Sequence, residues 1–307
     1  MNAYQSTYDQ IKPFIRVTPV IEIDGADFEL PGVKLVFKLE LLQYSGSFKA
    51  RGAFANLLIR KPAAGVVAAS GGNHGAAVAY AAGRLGVPAK IFVPETAPEA
   101  KRELIREYGA ELVVGGKTYD EAKKASEQVP DAMPIHAYNQ EETLLGAGST
   151  GLELLQQAPD IDTLLVSVGG GGLIGGITAA LAGSHVRVIG VEPRLCPALH
   201  DALRAGKPVD APVGGIAKDS LGAKRVGELM FPIVRDADTT VVLVSDDDIR
   251  EAQRKLWKRL HILAEPGAAT AFAALLSRRY VPRHGEKIAI LICGGNTDAV
   301  DFTRQEK

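Results

Sequence analysis

TLLVSVGGGGLIGG, residues 163–176, runs from an apolar, partly β-branched stretch into six glycines within eight positions. Such a stretch reads as a buried strand, Thr163–Val168, whose end opens into a turn where the backbone can approach a ligand. Gly170, Gly172 and Gly175 satisfy the G-x-G-x-x-G spacing, and Glu192 closes the next candidate strand, which together make a dinucleotide fingerprint. Gly169, Gly170, Gly171 and Gly172 also form a nest of N–H groups wide enough to enclose one phosphate. Close helix–strand packing would account for two of the six glycines, not for all.

Outward from this stretch, short Val- and Ile-rich runs alternate with amphipathic segments. Candidate strands are Gly65–Ser70, Lys90–Val93, Glu111–Val114, Thr163–Val168, Arg187–Val191, Thr239–Val244 and Lys287–Ile292. Helical patterns cover Gly75–Leu85, Pro98–Tyr108, Tyr119–Gln128, Thr150–Gln157 and Asp246–Leu260, with Asp246 as the cap of the last. The alternation predicts an α/β protein with a parallel sheet covered by helices. Residues 60–142 read as a compact βαβα unit that moves as one small domain. Residues 1–59 and 143–307 then form a larger, discontinuous domain.

Composition bounds the function. The 307 residues suit two lobes, with 46 % hydrophobic and 23 % charged residues. A net charge of −1 and the lack of a basic stripe with interleaved aromatics argue against nucleic acid and acidic membranes as partners. The N-terminus has no basic-then-apolar leader, and no apolar run approaches a membrane span. Two cysteines, Cys196 and Cys293, make no disulfide framework. The expected location is the cytoplasm.

Three further motifs carry chemistry. SGSFKARG, residues 45–52, places Lys49, next to Phe48, in a glycine-flanked turn. A lone lysine is ordinarily solvated; a catalytic one must be desolvated enough to be neutral part of the time. SGGNHG, residues 70–75, follows a candidate strand and precedes a helix expected from about Ala76. Its N–H groups, with the side chains of Ser70 and Asn73, offer donors to an anion or a phenolic oxygen, although a plain capping turn would look the same. His74, beside a helix start, reads as structural. LICGGNTD, residues 291–298, ends another buried strand with glycines and the thiol of Cys293. One amine, one asparagine-bearing loop and one phosphate-sized nest are the parts a pyridoxal phosphate site requires.

KLELLQYSGSFKARGA (38–53), SGGNHG, GGGGL and CGGNTD resemble, in order, the motifs of fold-type II pyridoxal phosphate enzymes, specifically the threonine/serine dehydratase and serine racemase group. NQE (139–141) and ILAEP (262–266) extend the likeness over nearly the whole chain. The resemblance implies two open parallel-sheet lobes of the tryptophan synthase β kind, in a homodimer acting on a small amino acid. It implies Lys49 as the cofactor-bearing amine, Phe48 beside the ring and Asn73 on the ring oxygen. Gly169–Gly172 and the Leu173 N–H would bind the phosphate. Ser70, Gly71, Gly72, Asn73 and His74 would form the substrate-carboxylate loop, and Glu265 would line the pocket. Cys293 stands where the family often has a serine near the pyridine nitrogen.

The racemase branch carries a serine where this chain has Gly71, so dehydration ranks above racemisation, which needs a second proton donor. β-Replacement enzymes of the same fold carry Asn-Pro before the lysine motif and Lys-Asp-Arg within it; this chain has Gln43-Tyr44 and Lys49-Ala50-Arg51. A nicotinamide oxidoreductase using Gly170, Gly172, Gly175 and Glu192 is the reading from another class. It leaves Lys49 and Asn73 idle. Some relatives bind a divalent cation near VGGIAKDS (213–220), but one carboxylate, Asp219, beside Lys218 is a poor start, and no metal is expected. No isoleucine-responsive domain is expected after Asn296. Tyr44, Tyr138 and Arg51 would face either the substrate's β-substituent or solvent.

Overall fold

The computed structural model describes residues 2–97 and 99–297; Pro98 and Asp298, which the sequence reading included, lie outside them. The strands are β1 Val20–Asp24, β2 Lys34–Lys38, β3 Val66–Ala69, β4 Ala89–Val93, β5 Glu111–Val114, β6 Met133–Pro134, β7 Thr163–Ser167, β8 Arg187–Pro193, β9 Val241–Val244 and β10 Lys287–Leu291. The helices are α1 Ala3–Ile11, α2 Lys49–Arg60, α3 Asn73–Leu85, α4 Glu99–Glu107, α5 Tyr119–Ser126 and α6 Glu141–Gln157. They continue as α7 Gly172–Ala180, α8 Ala198–Ala205, α9 Lys218–Leu221, α10 Phe231–Asp236, α11 Asp246–Leu260 and α12 Pro266–Leu276.

Two sheets result. One has the order β1-β2-β10-β7-β8-β9, the other β5-β4-β3-β6. All pairings are parallel except β1 with β2, an antiparallel edge in which Val20 faces Lys38. The larger sheet is sealed by a cluster of Phe28, Phe37 and Phe272, with Phe28 edge-on to Phe272 at 4.9 Å between centroids. Burying each ring stabilises the fold by roughly 1.5–3 kcal/mol. The smaller sheet packs through Val66, Ala68, Ile91 and Val93 against Val78 of α3 and Phe54 of α2.

Several expectations are corrected here. Lys49 opens α2 rather than sitting in a turn. The expected helix Thr150–Gln157 is the second half of α6, because Gly146 and Gly148 concealed the first half. Those glycines lie where α6 is pressed against neighbours: a Cβ on Gly146 would stand 2.4 Å from the Arg51 carbonyl oxygen, and one on Gly148 2.6 Å from that of Gly176. Tertiary contact has overridden propensity. α12 was missed because it is buried all round and shows no amphipathic period. Ser245, not Asp246, caps α11, through a reciprocal box with Asp248. Among the described residues no helix is long and apolar enough to cross a membrane.

Arg51 is corrected too. It is fully buried, two residues after Lys49, and reaches neither substrate nor solvent. Its Nε and Nη2 donate to the two carboxylate oxygens of Glu40 at 2.8 and 2.7 Å, and Nη2 also meets Glu153 Oε1 at 2.8 Å. Lys38 pairs with the same Glu153. Burial alone would raise the Glu153 carboxyl, but Arg51 and Lys38 hold it down to about 2. The cluster ties β2, α2 and α6 together beneath Lys49. Replacing Arg51 by Met leaves Glu40 and Glu153 with too little positive charge in a dry interior, an expected loss of about 3–5 kcal/mol. Urea unfolding measures it, and a loss below about 1 kcal/mol would mean that the cluster does not hold these elements.

Candidate active site

Parallel strands deliver their loops to one edge. Here the carboxyl ends of β3, β4, β7 and β10 surround a cavity of about 770 Å³. Phe48, Lys49, Ser70, Gly71, Gly72, Asn73, His74, Gly169, Gly170, Gly171, Gly172, Leu173 and Cys293 all line it, so the lysine, asparagine and glycine motifs and the end of β10 meet at one space.

Lys49 is held from two sides. The Phe48 N–H donates to the Cys293 carbonyl at 3.0 Å, which attaches the start of α2 to the end of β10. The Lys49 ammonium donates to the Ala137 carbonyl at 2.6 Å and lies 5.1 Å from the Phe48 ring centroid. Burial lowers its pKa to about 8, against the opposing pull of Cys293 and Glu265. About one amine in ten is then neutral at pH 7, against roughly one in three thousand for an unperturbed lysine.

The loop after β3 turns at Ser70–Gly72, and α3 begins at Asn73, earlier than the expected Ala76. The Gly72 N–H donates to Ser70 Oγ at 3.2 Å. Asn73 Nδ2 donates to Glu265 Oε1 at 2.7 Å, and Asn73 Oδ1 accepts from Asn296 Nδ2 at 2.8 Å. Burial raises the Glu265 carboxyl to about 7. The structural reading of His74 agrees with its surroundings: its pKa is lowered to about 3, by burial above all and then by Lys49, and neutral Nε2 donates to the Ile135 carbonyl at 2.9 Å.

The glycine turn after β7 leads straight into α7, whose first-turn N–H groups have no preceding helical carbonyl to bond. Gly171 has φ 86°, and a Cβ there would stand 2.4 Å from Met230 Cε. Tyr138 fills the outer side of Gly170 and Gly172. The packing thus demands bare backbone, and the free N–H groups with the positive end of the α7 dipole make an anion cradle. This cradle, a partly neutral lysine and the Asn73 amide suit the phosphate, aldehyde and ring oxygen of pyridoxal phosphate. The Cys293 thiol, raised well above its ordinary pKa by burial, would offer the ring nitrogen a neutral neighbour.

The dinucleotide reading loses its acidic residue. Glu192 is fully buried and accepts the N–H groups of Leu199 and His200 at the start of α8, both at 2.8 Å, leaving nothing for a ribose. Tyr44 stacks on Tyr80 at 5.0 Å under Arg16, while Tyr138 does line the cavity. Asp219 is largely exposed at the cavity mouth, 4.0 Å from Lys101. Among the described residues no group of three or more His, Cys, Asp or Glu is placed to hold a metal. The Ala137 carbonyl went unread because a main-chain acceptor has no signature in sequence. Asn296 stood in a quoted motif, but its partners lie more than 220 positions away in the chain.

The model of the family described as pyridoxal-phosphate dependent enzyme matches residues 11–294, and the chain belongs to that family. It is 42 % identical to phenylserine dehydratase of Ralstonia pickettii, over 96 % of this chain and 92 % of that protein. It is 40 % identical to L-threonine ammonia-lyase of Geobacter sulfurreducens, over 96 % and 75 %. The structure of maize serine racemase superposes with a TM-score of 0.91 at 34 % identity, covering 97 % of this chain and 93 % of that one.

Two outcomes follow from this geometry. Condensation of pyridoxal phosphate with the apoprotein needs a neutral Lys49 amine, so its rate should rise with pH to half-maximum near 8, followed by absorbance. A midpoint near that of an ordinary lysine, about 10.4, would contradict the burial argument. Gly171→Ala combines a strained left-handed backbone with the Met230 contact and should weaken cofactor binding at least about tenfold by equilibrium dialysis.

Proposed function

We propose that this protein is a pyridoxal phosphate-dependent ammonia-lyase that dehydrates a β-hydroxy amino acid, L-serine, L-threonine or phenylserine, to a 2-oxo acid and ammonia. The observation that carries this reading is the partly neutral Lys49 amine sharing one cavity with the glycine cradle and the Ser70–Asn73 loop. When bound, pyridoxal phosphate draws electrons from the substrate's Cα, making its proton acidic. Lys49 Nζ takes that proton, its depressed pKa matching the task near neutral pH. Loss of the β-hydroxyl together with that proton, as water, leaves an enamine, which a second water hydrolyses to the 2-oxo acid and ammonia.

Ser70 Oγ and the N–H groups at the start of α3 would hold the substrate carboxylate. Asn73 and Phe48 would orient the ring, and Gly169–Leu173 would anchor the phosphate. Residues 60–142 would close over the substrate as one unit, Lys101 and Asp219 meeting at the mouth. The reading extends to a cytoplasmic homodimer.

Racemisation ranks lower for a local reason. The position at which the racemase branch carries its serine is Gly71, which has no hydroxyl, and a Cβ there would already stand 2.9 Å from the Ala97 Cβ.

The test is a panel of serine, threonine and phenylserine with 2-oxo acid and ammonia measured together. Wild type should release both in equal amounts, and Lys49→Ala should release neither and lose the absorbance near about 410–420 nm expected of a protonated Schiff base. D-serine forming faster than pyruvate would overturn the dehydratase assignment.

A further inference from the structure

Asn296 follows the glycines at the end of β10, where no strand or helix holds it, yet it touches two of the motifs that make the site. Its Nδ2 donates to the Ser45 carbonyl at 2.7 Å and to Asn73 Oδ1 at 2.8 Å. Ser45 belongs to the turn that leads into α2 and Lys49; Asn73 opens α3. Asn296 therefore ties the lysine loop to the asparagine loop from a third strand end.

The tie has a direction. A side-chain amide carries a donor at one end and an acceptor at the other, in nearly the same shape. A carbonyl oxygen accepts only, so Ser45 obliges Asn296 to present Nδ2. With both Nδ2 hydrogens used, Asn296 obliges Asn73 to present Oδ1. Asn73 Nδ2 then turns toward Glu265, to which it donates at 2.7 Å. Its second hydrogen is available to a group in the cavity. Reversing Asn73 would set amino group against amino group at Asn296.

Two local features show what the tie demands. Ser45 takes a left-handed backbone with φ 60°, unusual for a residue with a side chain, and its buried Oγ has no hydrogen-bond partner among the described residues. Its conformation is not rewarded through its own hydroxyl; the Asn296 bond is made by its carbonyl. Gly46, at φ 73°, leaves the space next to it to Asn296, whose Oδ1 would be 2.1 Å from a Cβ there. Glu265 gives a weaker hold on the direction: with its carboxyl raised to about 7, the acid form can donate and would accept a reversed amide.

We propose that Asn296 is a positioning residue which, anchored on the Ser45 carbonyl, sets the direction of the Asn73 amide and keeps Asn73 Nδ2 a donor toward the cofactor ring. The inference rests on the reading of Asn73 as that donor.

The experiment compares Asn296→Ala, Asn73→Ala and the double variant with the parent. Two quantities are read without turnover: the pyridoxal phosphate dissociation constant and the pH midpoint of the bound cofactor's absorbance. Each single variant should bind about tenfold more weakly, the loss of one hydrogen bond to an ionised acceptor. Each should also raise the midpoint, because a donor to the ring oxygen favours its ionised form. The double variant should be no worse than Asn73→Ala, because Asn296 acts only through Asn73. Multiplying effects in the double variant would overturn the proposal. So would parent-like binding by Asn296→Ala beside weakened Asn73→Ala, which leaves the site assignment intact. Parent-like binding by both single variants removes the assignment of Asn73 as well. If Asn296→Ala does not fold, Asn296→Ser carries the same comparison, since its single O–H cannot serve Ser45 and Asn73 together.

Discussion

The lysine-bearing loop is fastened to the end of β10 by main-chain hydrogen bonds, and the site depends on that seam. The Leu41 N–H donates to the Ile292 carbonyl at 2.9 Å, the Phe48 N–H to the Cys293 carbonyl at 3.0 Å, and the Gly295 N–H to the Gly46 carbonyl at 2.9 Å. Bonds of this kind need no particular side chain but need close approach, so glycines stand at 46, 294 and 295. A Cβ on Gly294 would lie 2.4 Å from Glu265 Oε1. The seam sets the start of α2, and the start of α2 sets where the Lys49 amine lies.

Electrostatics is divided between two layers. Below the seam, Arg51, Lys38, Glu40 and Glu153 form a closed set of buried charges whose members satisfy one another. Above it, Lys49, Glu265 and Cys293 lie buried along the cavity wall without a comparable set of partners, and each moves toward its uncharged form. In the lower layer it is the pairing of Arg51 with Glu40 and Glu153 that keeps the guanidinium and the Glu153 carboxylate charged despite burial. Paired charges stiffen the support; unpaired ones are left free to gain or lose protons.

Much of this was legible in the chain. The Val- and Ile-rich runs ending in glycine marked β3, β7 and β10, because a strand buried on both faces is apolar throughout. Motifs of a few residues marked the lysine, the asparagine loop and the glycine turn at one cavity. Other parts were hidden by the same physics that makes them work. The first half of α6 carries glycines because it is pressed against α2 and α7, and those glycines read as a break. Arg51 read as facing substrate or solvent because the carboxylates that permit its burial come from Glu40 and, over a hundred residues further on, Glu153. Glu192 looked like a ribose ligand until its place under the α8 N-terminus was known.

By itself the sequence determined the class of fold and the family, and pointed to one lysine and one glycine turn as the parts of a site, since local periodicity and short motifs carry that information. The three-dimensional fold decided which groups are dry, which are paired and which way each amide points. Those properties depend on the burial and orientation of residues far apart in the chain. The line from Ser45 through Asn296 and Asn73 to Glu265 crosses three strand ends, and only chain folding brings donor and acceptor into register.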